Sequence, residues 1–249
     1  VLTSNGAAAL PTWQGASSPS PNATITLVDD FIGTNQTTIG ALVLMGSLSW
    51  CNIVGGWLTD GSAADSAHPG VLGCGAPGAG VVNQLFLGFD SAGAIITNLW
   101  YLGGGQITLN WVFKITTLSV ASPRYILRMG MGITGTAADQ VDGVYFEYSD
   151  NINSGNWNYK TAKASTRTTN NSSTAVTTGW HNAQLVVNAA ASSISFTMDG
   201  VSLGTAITTN IPIVGIVPFF QIQGVAGTVA GNSIGVDLFY ATQTLTTPR

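Results

Sequence analysis

Charge is what this sequence has least of. Asp, Glu, Lys and Arg make up 7% of its 249 residues, where about 25% is usual for a soluble globular domain. One glutamate occurs, Glu147, and Lys and Arg together number 7. Helix-favouring Glu, Lys and Arg are therefore scarce, while Thr, Val, Ile, Ser, Asn and Gly abound, a mix that disfavours helices and favours strands joined by turns. The net charge of −4 comes with no basic patch, which removes the electrostatic footing for nucleic-acid binding. No apolar run reaches the roughly 18 residues of a membrane-spanning helix; Ile39 to Trp50 is broken by glycine and serine. Disorder is excluded from the other side, because 45% of the residues are hydrophobic.

Cysteine is nearly absent too. Cys51 and Cys74 are placed on neighbouring predicted strands, and two readings stay open for them: buried free thiols, or a disulfide that would add about 3 kcal/mol by closing a loop. With only His68 and His181 beside them and no C-x-x-C, a zinc site is not expected, and no cofactor is expected.

What the chain has in quantity is alternation. Ile107, Leu109, Trp111, Phe113 and Ile115 share one parity, with Thr108, Asn110 and Lys114 on the other. Tyr125, Leu127, Met129 and Met131 repeat the pattern with Arg128 facing outward, and Val144, Phe146 and Tyr148 oppose Tyr145, Glu147 and Ser149. Further strands are predicted through Leu185–Ala189, Ile194–Met198, Val217–Gln223 and Ile234–Tyr240, and Asp199-Gly200 supplies a tight hairpin turn. RTTNNSSTAVTTG (167–179) reads as an exposed loop. Strands with one apolar face each must bury those faces together, so the expected fold is all-β, an antiparallel β-sandwich of jelly-roll type over residues 25–249. Residues 1–24 differ in composition. VLTSNGAAALPTWQG lacks the basic start and apolar run of a signal peptide and reads as an extended N-terminal neck, linker or anchor, with Leu10, Pro11 and Trp13 as its shared contacts in an oligomer.

Several segments carry a resemblance. DGVYFEYSDN, TGWHNAQLVVNAAASSISFTMDGV, NIPIVGIVPFFQI and VDLFYATQTL, preceded by DDFIG and HPGVL, resemble the concanavalin A-like lectin/glucanase fold as it appears in phage virion proteins, over most of residues 29–245. The opening VLTSNGAAALPTWQ resembles the joint that precedes a distal domain in phage tail-fibre and head-fibre proteins. The resemblance implies a structural virion protein: a fibre tip or capsid-decoration subunit on the outer surface of the particle, not an enzyme, self-associating as a homotrimer and held to other virion proteins through the N-terminal segment. It also implies two alternatives, a receptor-binding module for host glycans and a secreted glycan hydrolase. Such motifs speak more for fold than for function.

Retaining glycosidases need two carboxyl groups about 5–5.5 Å apart, typically spaced E-x-D-x-x-E. Here Asp142 and Asp150 have the opposite parity to Glu147, so a partner acid must come from another strand. VYFEYSDNINSGNW invites comparison with a legume-lectin calcium segment, but Ser149 stands where a ligating aspartate is needed, and calcium takes about six to eight oxygens. His68 is read as a turn residue or the partner of a buried carbonyl; no G-x-S-x-G elbow or phosphate loop is present. Catalytic and metal-binding residues are therefore not assigned. Aromatics beside Asn and Asp suit sugar recognition, so Asp150, Asn151, Asn153, Trp157 and Tyr159 form the candidate glycan-binding set.

Overall fold

The computed structural model describes residues 2–3, 12–13, 23–32, 37–39, 42–48, 50–53, 56–59, 64–87, 100–136, 138–228 and 233–247. Its strands are, in chain order, β1 (Leu2–Thr3), β2 (Thr12–Trp13), β3 (Thr24–Asp29), β4 (Thr37–Ile39), β5 (Leu42–Met45), β6 (Trp50–Ile53), β7 (Trp57–Thr59), β8 (Leu72–Cys74), β9 (Val82–Phe86) and β10 (Gly105–Ile115). They continue with β11 (Arg124–Gly132), β12 (Gly143–Tyr148), β13 (Asn156–Lys163), β14 (Thr166–Ala175), β15 (Gly179–Val187), β16 (Ile194–Met198), β17 (Val201–Ser202), β18 (Val217–Ala226) and β19 (Ile234–Leu245).

These strands make two antiparallel sheets packed as a jelly-roll sandwich. An eight-stranded sheet runs β17-β16-β15-β10-β19-β8-β7, with β3 also pairing β19, and a nine-stranded sheet runs β14-β13-β12-β11-β18-β9-β6-β5-β4. Alternation is the cause. In β10 every second residue from Gly105 to Ile115 is buried, so its apolar side chains meet those of β11, β12 and β18 across the gap. The centre of that gap is aromatic. Trp50, Trp111 and Phe239 lie with ring centroids 4.8–5.1 Å apart, and Trp111 reaches Phe220 at 5.3 Å. The Asp199-Gly200 turn joins β16 to β17 with both residues at positive φ (53° and 77°), as a two-residue hairpin of this hand requires.

Two expectations need correction, and a third falls mostly outside the described residues. Residues 167–175 of the expected loop belong to strand β14, the edge of the nine-stranded sheet, registered against β13; the threonines that looked like loop residues are good strand formers when one neighbour strand pairs them. Cys51 and Cys74 are both free and buried, on strands of different sheets. Cys74 belongs to the inter-sheet core, whereas Cys51 follows core residue Trp50 and so takes the opposite face of its sheet; a sheet stands between the thiols. Of the neck, Leu10 and Pro11 lie outside the described residues, and Trp13 sits in β2 opposite Leu2 of β1.

Candidate functional site

The chain gathers its scarce charges on the outer face of the nine-stranded sheet. Cross-strand register places Gln84, Gln221, Arg128, Glu147 and Asn158 in one row across β9, β18, β11, β12 and β13. The next row holds Phe86, Phe219, Gly130, Tyr145 and Lys160. All these side chains share the parity that faces away from the inter-sheet core, yet they are buried. Residues 133–136 and 138–142, in the segment between β11 and β12, lie over them. The Thr136 carbonyl accepts hydrogen bonds from both Gln84 and Gln221, and a small apolar cluster of Phe86, Tyr145, Ala162, Val217 and Phe219 fills the space beneath.

Asp139 of that segment meets the row. Arg128 Nε lies 2.7 Å from Glu147 Oε2 and 3.4 Å from Asp139 Oδ1. Lys160 Nζ bridges the two acids, 2.5 Å from Glu147 Oε1 and 3.1 Å from Asp139 Oδ2. Arg167 Nε stands 3.3 Å from Asp139 Oδ2, and its Nη2 donates to the Asp139 and Gln140 carbonyls. The Tyr145 hydroxyl donates to Asp139 Oδ1 at 2.5 Å. Burial pushes the Asp139 carboxyl upward, but Arg128, the Tyr145 hydroxyl and Lys160 outweigh it and hold it below the usual carboxylate range. Burial raises the Tyr145 phenol, and Asp139 and Glu147 raise it further. A second acid does reach Glu147, from a connecting segment instead of a strand. The two acids converge on Lys160 and Arg128, and Glu147 is only 1% exposed.

A second polar cluster lies by the eight-stranded sheet. His68 Nδ1 is 2.7 Å from Asp237 Oδ2, and its ring stacks on Trp180 at 3.7 Å between centroids. Lys114 Nζ lies 5.3 Å from the Trp180 ring. Burial raises the Asp237 carboxyl against the opposing pull of His68. His68 is thus a turn residue, its backbone bonded both ways to Asp65, and its ring is the partner of a carboxylate, not of a buried carbonyl. A third acid, Asp29, ties the sheets together: its carboxylate accepts from the Phe31 and Leu48 amides and from Trp50 Nε1.

A family model described as SO2946-like, C-terminal domain, matches residues 88–243, well over half of the chain. The chain belongs to this SO2946-like family. The structure is similar to that of the protein of unknown function SO2946 from Shewanella oneidensis MR-1, with a TM-score of 0.58 and 16% identity over 96% of this chain and 99% of that one. It is also similar to a botulinum neurotoxin type C structure, at a TM-score of 0.51 and 9% identity over 89% of this chain and 48% of that one. A Bacillus licheniformis β-glucanase superposes with a TM-score of 0.49 and 13% identity, over 87% of this chain and 97% of that one. At such identities the likeness is one of fold. No curated protein matches the sequence.

In this SO2946-like domain the expected glycan-binding set is dispersed. Trp157 and Tyr159 are 0% and 3% exposed. Tyr159 is registered opposite core residue Phe146, which turns both aromatics of β13 inward, and they offer no ring face to a sugar. Asp150 is paired with Arg124 at 2.9 Å and accepts from Ser119. Asn153 donates to the Trp157 and Ser172 carbonyls. Asn151 is exposed and accepts from Ser149 Oγ. Among the described residues, no group of three or more His, Cys, Asp and Glu side chains could hold a metal ion. Sequence reasoning missed Asp139, Lys160, Arg167 and the His68–Asp237 pair. One signal was available: Arg128, Glu147 and Lys160 are charges of outward parity in a chain with few charges to place.

Proposed function

We propose that this chain is a structural subunit displayed on the outer surface of a virion, as a fibre tip or capsid decoration, which acts by assembly and not by turnover. One observation carries the reading. The protein turns most of its few cations onto acids or rings and leaves uncharged rows on the outer face of one sheet. Among the described residues, every Lys and Arg except Lys163 engages an acid or an aromatic ring. The outer face of the eight-stranded sheet carries rows such as Thr26, Thr242, Thr108, Val186 and Ser195, which have hydroxyl or methyl surfaces and no charge. Neutral polar surfaces pack against copies or neighbours with little electrostatic cost. Glu147 fits a structural role better than a hydrolytic one, since both its oxygens are held by cations. The resemblance of residues 1–14 to fibre joints supports a homotrimer formed through Leu10, Pro11 and Trp13, with the same segment contacting other virion proteins.

Light scattering on the full chain at micromolar concentration tests the assembly; a strict monomer removes the trimer. Antibody labelling of purified particles in the electron microscope tests placement, and particles without label remove the virion reading. A second reading, recognition of host glycans, rests on the exposed Asn151 beside the Arg124–Asp150 pair. The similar botulinum neurotoxin type C, whose cell entry is described as dependent upon interaction with two ganglioside molecules, is compatible with it at the level of fold. A glycan array without signal removes this reading.

A further inference from the structure

We propose that Lys160 and Asp139 are joined by an intramolecular isopeptide bond, formed with Glu147 as the proton carrier. Three observations meet at this point of the fold. A primary amine and a carboxyl group are held in contact, with Lys160 Nζ 3.1 Å from Asp139 Oδ2. The only glutamate of the chain touches the same amine through Oε1. Lys160 and Glu147 are both buried under the segment that carries Asp139, with Lys160 Nζ 5.9 Å from the centroid of the Tyr145 ring. Holding two reacting groups in contact removes the entropic cost of bringing them together, and exclusion of water favours condensation over hydrolysis.

The arrangement fits the chemistry atom by atom. Of the three cations around Asp139, only lysine can lose its proton to become a nucleophile; a guanidinium stays charged. Lys160 passes one proton to Glu147, which hands it on to Asp139 Oδ2, and the free amine attacks Cγ of the carboxyl group so neutralised. The oxygen that becomes negative is Oδ1, which already accepts from the Tyr145 hydroxyl and faces Arg128 Nε. These are fixed donors aimed at developing charge. A second proton then leaves Nζ for Oδ2, and the Cγ–Oδ2 bond breaks. One ammonium and one carboxylate give one amide and one water molecule, and Glu147 ends as the carboxylate it began as. The Asp139 side chain is 24% exposed, which leaves the water a way out. Nothing is oxidised or reduced. The product pins the covering segment to β13, a covalent tie in a protein whose two cysteines are free.

Intact-mass spectrometry of the denatured full-length protein decides the matter. The expected result is a mass short by one water molecule, together with a branched peptide joining the fragments that contain Asp139 and Lys160 after digestion. Lys160→Arg is expected to restore the full mass, and Glu147→Gln to abolish or greatly slow the bond. Full mass in the folded wild-type protein after long incubation overturns the proposal. So does a deficit that persists in Lys160→Arg, which would place the dehydration elsewhere, for instance as a succinimide at Asp142-Gly143 or Asp199-Gly200. If Lys160→Arg fails to fold, presence or absence of the branched peptide in wild-type digests gives the answer alone. A Glu147→Gln protein that forms the bond at the wild-type rate overturns the role of Glu147.

Discussion

Glu147 shows how much a single residue can carry in a chain poor in charge. Its carboxylate is buried against Arg128 and Lys160, so removing its charge leaves two cations without their main counter-ion. Glu147→Gln is expected to cost about 3–5 kcal/mol, the usual penalty for breaking a buried pair on one side, read as a lower urea midpoint. Asp150 stands at the other extreme. Its bond from Arg124 holds its carboxyl below the usual range against the upward push of burial, with Ser119 helping. A folded value below the unfolded one stabilises above the unfolded value, about 3.9, and this contribution is lost as pH falls through the folded value. Because the pair is solvated, its contribution is small. Asp150→Asn is expected to flatten the acid limb of stability against pH while changing the neutral midpoint little. The thiols are legible in the same way. Burial raises Cys51 to about 11 and Cys74 to about 12, so neither is a thiolate near neutral pH. A thiol reagent is expected to label neither in the folded protein and both in urea; fast labelling of the native state would contradict the buried placement.

At the scale of elements, alternation told strand from helix and told which side of a strand faces inward. In β10, β11 and β12 the residues read as inward are the core residues. It could not tell an edge strand from a loop at 167–175, because an edge strand exposes most of its side chains and leaves little contrast for a pattern to show. Nor could it place Trp157 and Tyr159, whose parity matters only once β13 is known to pair with β12 in that register. Gly130 is a strand residue whose role only the pairing reveals. It sits mid-β11 at φ 150°, where an added Cβ would stand 2.2 Å from the Val144 carbonyl oxygen of β12. Gly130→Ala is expected to force β11 and β12 apart and to lower the thermal midpoint far more than an alanine at an exposed strand position. A variant with an unchanged midpoint would show that the two strands can separate there at no cost.

The whole molecule is held by the aromatic layer between its sheets. Trp111 touches Trp50, Phe220 and Phe239, so Trp111→Ala is expected to lose about 3–5 kcal/mol, from transfer and cavity costs together. Urea unfolding measures this directly, and a loss under 1 kcal/mol would mean that the core can collapse into the space. Outside that layer the two sheets differ. The eight-stranded sheet presents uncharged half-exposed rows, while the nine-stranded sheet hides the middle of its outer face beneath the segment between β11 and β12, which Thr136 and Asp139 hold down. The proposed assembly uses the neutral surfaces and the N-terminal segment, and substitution of Leu10 and Trp13 together by alanine is expected to convert a trimer into monomers in light scattering while leaving the fold intact.

The sequence by itself determined the class of fold: a two-residue rhythm gives each strand one apolar side, and sheets with one apolar side pair off to hide it from water. It also determined which residues point outward, because parity is a local property of the backbone. Only the tertiary structure decided which outward residues meet solvent. A segment from between two strands folds back over Arg128, Glu147 and Lys160 and supplies Asp139, and no local pattern encodes a cover that arrives from elsewhere in the chain. The separation of the two cysteines was decided the same way, by which sheet each strand joined.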